Sequence, residues 1–168
     1  MEHNSEGVAY QSETQKIRPF VLKWLDGVVF DIGCGHDKIK PDAIGIDVRG
    51  LPGVDRLTSE LNKISTTMPE YVGAADAVYS SHCLEHFHDD VGAVRDWVKL
   101  LKPNGYLVLY LPEISLYTMP NPEHVHEYKY PDFVSQFMKN FKDLKVEDHG
   151  IDKGYDRYSF WVVARKIG

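Results

Sequence analysis

The stretch Val28-Val29-Phe30-Asp31-Ile32-Gly33-Cys34-Gly35-His36-Asp37 constrains the fold more than any other part of the chain. Its apolar half, rich in β-branched residues, reads as a buried strand. The strand runs directly into Gly33-Cys34-Gly35, where the glycines remove the Cβ atoms that would block a close-lying ligand. A second strand-like run, Ala43-Ile44-Gly45-Ile46-Asp47-Val48, follows shortly and carries an acid at its far end. In parallel α/β folds, a glycine turn with a downstream acid holds a nucleoside, backbone against the ligand and carboxylate on the ribose hydroxyls.

The rest of the chain agrees with an α/β layout. Residues 1–12 are polar and without period, and are expected to form a mobile arm, with Tyr10 its one aromatic. From Glu13, the spacing of Ile17, Phe20, Val21, Trp24 and Leu25 predicts an amphipathic helix, interrupted by Pro19 and ended at Asp26-Gly27. Only one helical turn fits between Gly35 and Ala43, so the first crossover is pared down. Strands are predicted at 54–57 and 75–81. A helix capped by Asp89 carries Val91, Val94, Trp97, Val98 and Leu101 on one face. Lys102-Pro103-Asn104-Gly105 stops that helix, and residues 106–112 form the clearest buried strand. A polar loop from Glu113 to Tyr130 precedes a helix starting at Pro131, whose apolar face is Phe133, Val134, Phe137, Met138 and Phe141. The last two strands, 144–148 and 158–165, lack a crossover helix and should pair antiparallel.

Composition narrows the function. A chain of 168 residues makes one domain, and 43% hydrophobic with 26% charged residues is ordinary for a soluble globular protein. The net charge of −6 and a pI near 5.7 give no electrostatic footprint for nucleic acid. No apolar run approaches the roughly 20 residues that span a bilayer. The first residues have neither the basic nor the apolar region of a signal peptide. Cys34 and Cys83 are expected as free thiols in a reducing compartment, with the cytoplasm as the expected location.

Taken together, Asp31-Ile32-Gly33-Cys34-Gly35, Gly45-Ile46-Asp47, Ser80-Ser81-His82-Cys83-Leu84-Glu85-His86 and Leu101-Lys102-Pro103-Asn104-Gly105-Tyr106 resemble the class I S-adenosylmethionine-dependent methyltransferases, in their small, type 11-like branch. The resemblance runs from about Tyr10 to the C-terminus. It implies a three-layer, Rossmann-like, mostly parallel sheet of seven strands, ordered 3-2-1-4-5-7-6, with the seventh antiparallel. It implies S-adenosylmethionine as cofactor and S-adenosylhomocysteine as product. Asp31, Gly33, Cys34 and Gly35 would then lie along the methionine portion. Asp47 would take the ribose hydroxyls, Val48 would flank the adenine, Glu60 and Leu61 would meet its amine and ring, and Ser81 and His82 would pass the sulfonium. Asp37 stands where a third glycine is common. The shortened crossover and short third strand leave the adenine side open, which predicts weak or lid-dependent cofactor binding.

Because the leaving group is already activated, such an enzyme mainly aligns the reactants and excludes water. A proton must still leave the acceptor, which makes His82, His86 and His124 candidate bases. A metal site built from these and His126 is not expected, since no cysteine cluster supports it and His124 and His126 fall on a loop. The Pro112–Pro131 loop, the first helix and Tyr10 are expected to select a small polar acceptor. The C-terminal hairpin has an edge that could pair across a homodimer. Two rival readings remain at this level, a non-catalytic binding protein on the same fold and a nicotinamide-dependent oxidoreductase. The second is disfavoured because pyrophosphate needs a helix N-terminus after the glycine turn.

Overall fold

The computed structural model describes residues 11–118 and 121–168; Tyr10 and most of the expected arm lie outside them. Strands β1 (Val29–Ile32), β2 (Ile44–Asp47), β3 (Arg56–Leu57), β4 (Ala75–Ser81), β5 (Leu101–Pro112), β6 (Leu144–Gly154) and β7 (Arg157–Lys166) form one sheet, ordered β3-β2-β1-β4-β5-β7-β6. The first five strands run parallel, and β7 runs antiparallel to both of its neighbours. This is the expected three-layer methyltransferase-type arrangement.

Strand alternation divides the core in two. Phe30, Ile32, Val78, Leu107, Leu109 and Phe160 face one way, where they meet Trp97 of α3 (Asp90–Leu100) and Phe133 of α4 (Tyr130–Ser135). Val29, Tyr79, Val108, Tyr110 and Val163 face the other way and are covered by Ile17 and Val21 of α1 (Glu13–Val21). Short α2 (Ile64–Thr67) is tied to α3 by Asp96, which accepts from the Ser65 amide (3.2 Å) and hydroxyl. Trp97 donates its indole N–H to the Leu61 carbonyl at 2.8 Å, so α3 also fixes the start of the segment before α2.

Among the described residues no helix joins β1 to β2. The eleven-residue span between these strands must therefore satisfy its backbone through other parts of the fold. Buried Asp31 accepts from the Ile39 amide at 2.7 Å. Arg18 of α1 donates to the carbonyls of Ile39 (2.8 Å) and Lys38 (2.6 Å) and pairs with Asp37 at 3.1 Å. Ser12, expected within the mobile arm, is instead the N-cap of α1: it completes a capping box with Gln15, and its hydroxyl donates to Asp37 at 2.6 Å.

Several boundaries differ from the sequence-based expectation. The Lys102–Gly105 turn lies within β5, where the register with β4 breaks between Ala75 and Ala77 and Asn104 takes a positive φ of 66°. Strand β6 continues through Gly150, which reads as a turn signal but seats the Trp161 ring; a Cβ there would meet that ring at 2.3 Å. Helix α4 ends at Ser135, and Phe137–Asn140 continues as a separate 3-10 turn. Strand β6 is an edge of the sheet, as the expected dimer contact requires.

Desolvation raises the Asp31 carboxyl to about 7, against the lowering effect of the Ile39 amide. Folding then makes Asp31 the better proton binder. Its contribution to stability is full below the unfolded value near 4 and declines as pH rises through 7. Asp31→Asn keeps an acceptor for Ile39 and removes the titration. Between pH 5 and pH 8 the wild type should lose about 2–3 kcal/mol relative to this variant in urea unfolding. Parallel pH profiles of the two proteins would show that Asp31 titrates normally.

Candidate functional site

A cavity of about 500 Å³ opens at the carboxyl ends of β1, β2 and β4, where open α/β sheets bind their ligands. Its floor is Gly33, with φ of +71°, where a Cβ would stand 2.8 Å from the Cys83 sulfur. Its acidic side is Asp47, 3% exposed, whose carboxylate accepts from the amides of Gly35 (2.9 Å) and Val48 (2.7 Å). These amides, with that of Arg49 at 3.4 Å, make three backbone donors that fix the carboxylate at the cavity wall. The opposite wall is Leu61, held by Trp97, with Glu60 beside it paired to Lys63 at 3.1 Å.

Of the ten residues expected along the cofactor, six line this cavity: Gly33, Asp47, Val48, Glu60, Leu61 and His82. The other four support it from behind or to one side. Asp31 is turned to Ile39, Cys34 packs its sulfur 3.4 Å from the Gly53 carbonyl, and Gly35 presents its amide to Asp47. Ser81, at the end of β4, is outside the lining. Arg49, Asn62 and Phe87 also line the cavity and carry no sequence signal that would single them out. Val48 and Leu57 are 48% and 61% exposed, so the β2–β3 side is open, as the short third strand suggested.

A second cavity of about 300 Å³ adjoins the first and shares His82 and His86 with it. The long loop supplies Tyr117, Asn121 and His124, and β7 supplies Tyr158. His82 has a φ of +48°, uncommon for a side chain of its size and a mark of functional sites. Its Nε2 lies 2.9 Å from the Ser159 hydroxyl and 3.5 Å from Glu13, and its ring packs between Tyr110 and Tyr158. Burial, with the nearby Lys16 charge, pushes the imidazole down to about 3, so His82 is neutral and a weak proton acceptor. His126 turns away, its Nε2 3.0 Å from the His88 carbonyl and its ring stacked on Tyr128.

The residue that sequence reasoning missed is Glu85. It is fully buried beneath His86 and His124, and desolvation raises its carboxyl to about 8. The available signal was an acid beside a histidine just past a buried strand; its depth could not be read from that.

A family model described as "Methyltransferase domain", of the type 11 class, matches residues 54–109. Among solved structures, the 1,6-didemethyltoxoflavin-N1-methyltransferase of Burkholderia thailandensis, with bound 1,6-didemethyltoxoflavin and S-adenosylhomocysteine, is 15% identical with a TM-score of 0.69. That match covers 94% of this chain and 79% of the other. A SAM-dependent methyltransferase from Aquifex aeolicus is 20% identical with a TM-score of 0.66, covering 94% of each chain. The [4+2]-cyclase SpnF is 14% identical with a TM-score of 0.68, covering 99% of this chain and 86% of that one. A search of curated protein sequences gives no match. The chain is thus similar to type 11 methyltransferases in sequence over residues 54–109, and to SAM-dependent methyltransferases in fold over nearly its whole length.

Gly33→Ala tests the floor of the first cavity. The left-handed backbone alone should cost about 1–2 kcal/mol, and the contact with Cys83 adds to it. A lowered urea midpoint is expected; an unchanged one would show that the turn relaxes freely.

Proposed function

We propose that this chain is an S-adenosylmethionine-dependent methyltransferase acting on a small polar acceptor through an oxygen, nitrogen or carbon nucleophile. The observation that carries this reading is the pair of adjoining cavities meeting at His82 and His86. One has a glycine floor and a fixed acid, and the other is lined by hydrogen-bonding side chains.

The first cavity fits the cofactor. Its size lies in the usual range for small-molecule sites, and it combines one fixed carboxylate with an apolar wall. Asp47 would take the two ribose hydroxyls, Leu61 would pack on the adenine with Glu60 at its amine, and the methionine portion would cross Gly33. When bound, the cofactor supplies a methyl group on a positively charged sulfur. The chain's own task is to orient the acceptor and keep water out. Tyr117, Asn121 and Tyr158 are placed to orient it. His82 serves better as a rigid neutral wall than as a base, because its basicity is so low. Desolvation first and His86 next also lower the basicity of His124.

The nicotinamide alternative lacks the helix that would receive a pyrophosphate after β1. Chemistry other than methyl transfer has one point in its favour, that a [4+2]-cyclase shares the fold. The polar second cavity favours chemistry on a bound acceptor. Cys34 and Cys83 are both free and buried, which suits a cytoplasmic location; among the described residues no helix is long and apolar enough to cross a membrane.

Calorimetry with S-adenosylmethionine, S-adenosylhomocysteine and NAD side by side tests the reading. Both sulfur compounds should bind and NAD should not. Asp47→Ala should weaken cofactor binding by about 1–3 kcal/mol, the scale of lost hydrogen bonds to a charged group. Absence of binding by either sulfur compound would end the proposal, and undiminished affinity in the variant would mean that the ribose is held elsewhere.

A further inference from the structure

Glu85, His86 and His124 converge at the border of the second cavity with their ligand atoms all within 4.8 Å of one another. His86 Nε2 lies 3.6 Å and His124 Nε2 3.8 Å from the same carboxylate oxygen, Oε1 of Glu85. Both separations are too long for hydrogen bonds. Neither oxygen of the fully buried Glu85 carboxyl has a hydrogen-bond partner among the described residues. An acid so placed is costly unless something charged or hydrogen-bonding meets it.

The surroundings of the two rings show what is missing. The Glu123 carbonyl stands 3.0 Å from His86 Nδ1 and can only accept, so that nitrogen carries the proton and Nε2 presents a lone pair to Glu85. His124 Nδ1 stands 3.3 Å from the Glu127 carboxylate, an electrostatic contact without hydrogen-bond geometry, and its Nε2 faces Glu85. Tyr117 in turn donates its hydroxyl to Glu127. Three atoms able to ligate a metal therefore face one another with no hydrogen bond between them. His86 is oriented from its far nitrogen by a carbonyl, the outer-shell pattern of metal-ligating histidines, and the Glu127 carboxylate stands at the far nitrogen of His124.

We infer that Glu85, His86 and His124 form a binding site for a divalent transition-metal ion, with zinc the natural occupant, whose open position faces the acceptor cavity. Two histidines and one glutamate are the protein ligands of one class of catalytic zinc site, in which a fourth position is left for water or substrate. Ligand bonds of 2.0–2.2 Å at tetrahedral angles place ligand atoms about 3.3–3.5 Å apart, so the two imidazole–carboxylate separations of 3.6 and 3.8 Å need only a small contraction, while the two imidazoles, within 4.8 Å of each other, must close further by rotation of their side chains. Nitrogen ligands argue against magnesium or calcium, which take oxygen. The histidines thus hold an ion rather than receive the acceptor's proton. The ion would take a hydroxyl or amine group of the acceptor in its open position, beside Asn121 and Tyr117. That role, but not the site, rests on the methyltransferase reading.

The test is titration of zinc chloride, and separately cobalt chloride, into the tag-free, chelator-treated full chain without S-adenosylmethionine. It is thus read independently of cofactor binding. One zinc per chain is expected, and cobalt should give the visible absorption of a low-coordinate nitrogen–oxygen site. His86→Ala and His124→Ala should each weaken zinc at least 100-fold, and Glu127→Gln about 10- to 100-fold through the outer shell. Glu85→Gln should abolish binding, but it alters a fully buried group, so the two histidine variants, checked for folding by circular dichroism, are the decisive ones. Failure of the wild type to take up one zinc, or equal affinity in the folded histidine variants, would overturn the inference.

Discussion

The structure depends on how the chain satisfies the backbone between β1 and β2. A full crossover helix would pair its own amides and carbonyls; here residues 33–43 have no helix, and beyond two local turns their polar groups find partners outside the span. Asp31 reaches forward from the strand, Arg18 and Ser12 reach across from α1, and Lys40 returns to the Leu25 carbonyl at 2.6 Å. Helix α1 therefore does two things: it covers one face of the sheet and stands in for the missing helix as a hydrogen-bonding partner. The glycine turn keeps its shape because both of its ends are held, at Gly33 by the Ile46 carbonyl and at Gly35 by Asp47.

That arrangement brings the two halves of the site together. Asp47 ends β2 and closes the turn after β1, while His82 and Glu85 leave the end of β4, so both cavities open at one edge of the sheet. The long loop after β5 folds back over this edge. It is held there by the amides of Val125 and His126, which donate to the Glu85 carbonyl at 2.8 and 3.1 Å. Glu85 anchors the loop through its backbone and confronts the loop's histidine with its side chain. Packing of the loop and composition of the second cavity are thus a single structural event.

Much of this is legible in the residues. The order of strands and helices follows from apolar runs, and β4 and the Asp89 cap of α3 match to the residue, because alternation and capping are local properties. The antiparallel hairpin follows from the absence of a crossover helix. Motif order places Asp47, Leu61 and the glycine floor. Asp31 reads as facing a ligand, whereas its carboxyl turns to Ile39, and no local pattern records where Ile39 falls. Gly150 reads as a turn because its real neighbour, the Trp161 ring, comes from the adjacent strand.

The amino-acid sequence by itself determined the α/β class, the strand–turn–acid frame of the nucleoside-type cavity, and the shortened first crossover. Each of these rests on spacing within a few residues. Only the tertiary structure decided that Glu85 is buried, that His86 and His124 stand with their Nε2 atoms over it, and that His82 is held neutral. The reason is physical: burial and hydrogen-bond partnership belong to groups separated by dozens of residues, and between Glu85 and His124 no periodicity carries that information.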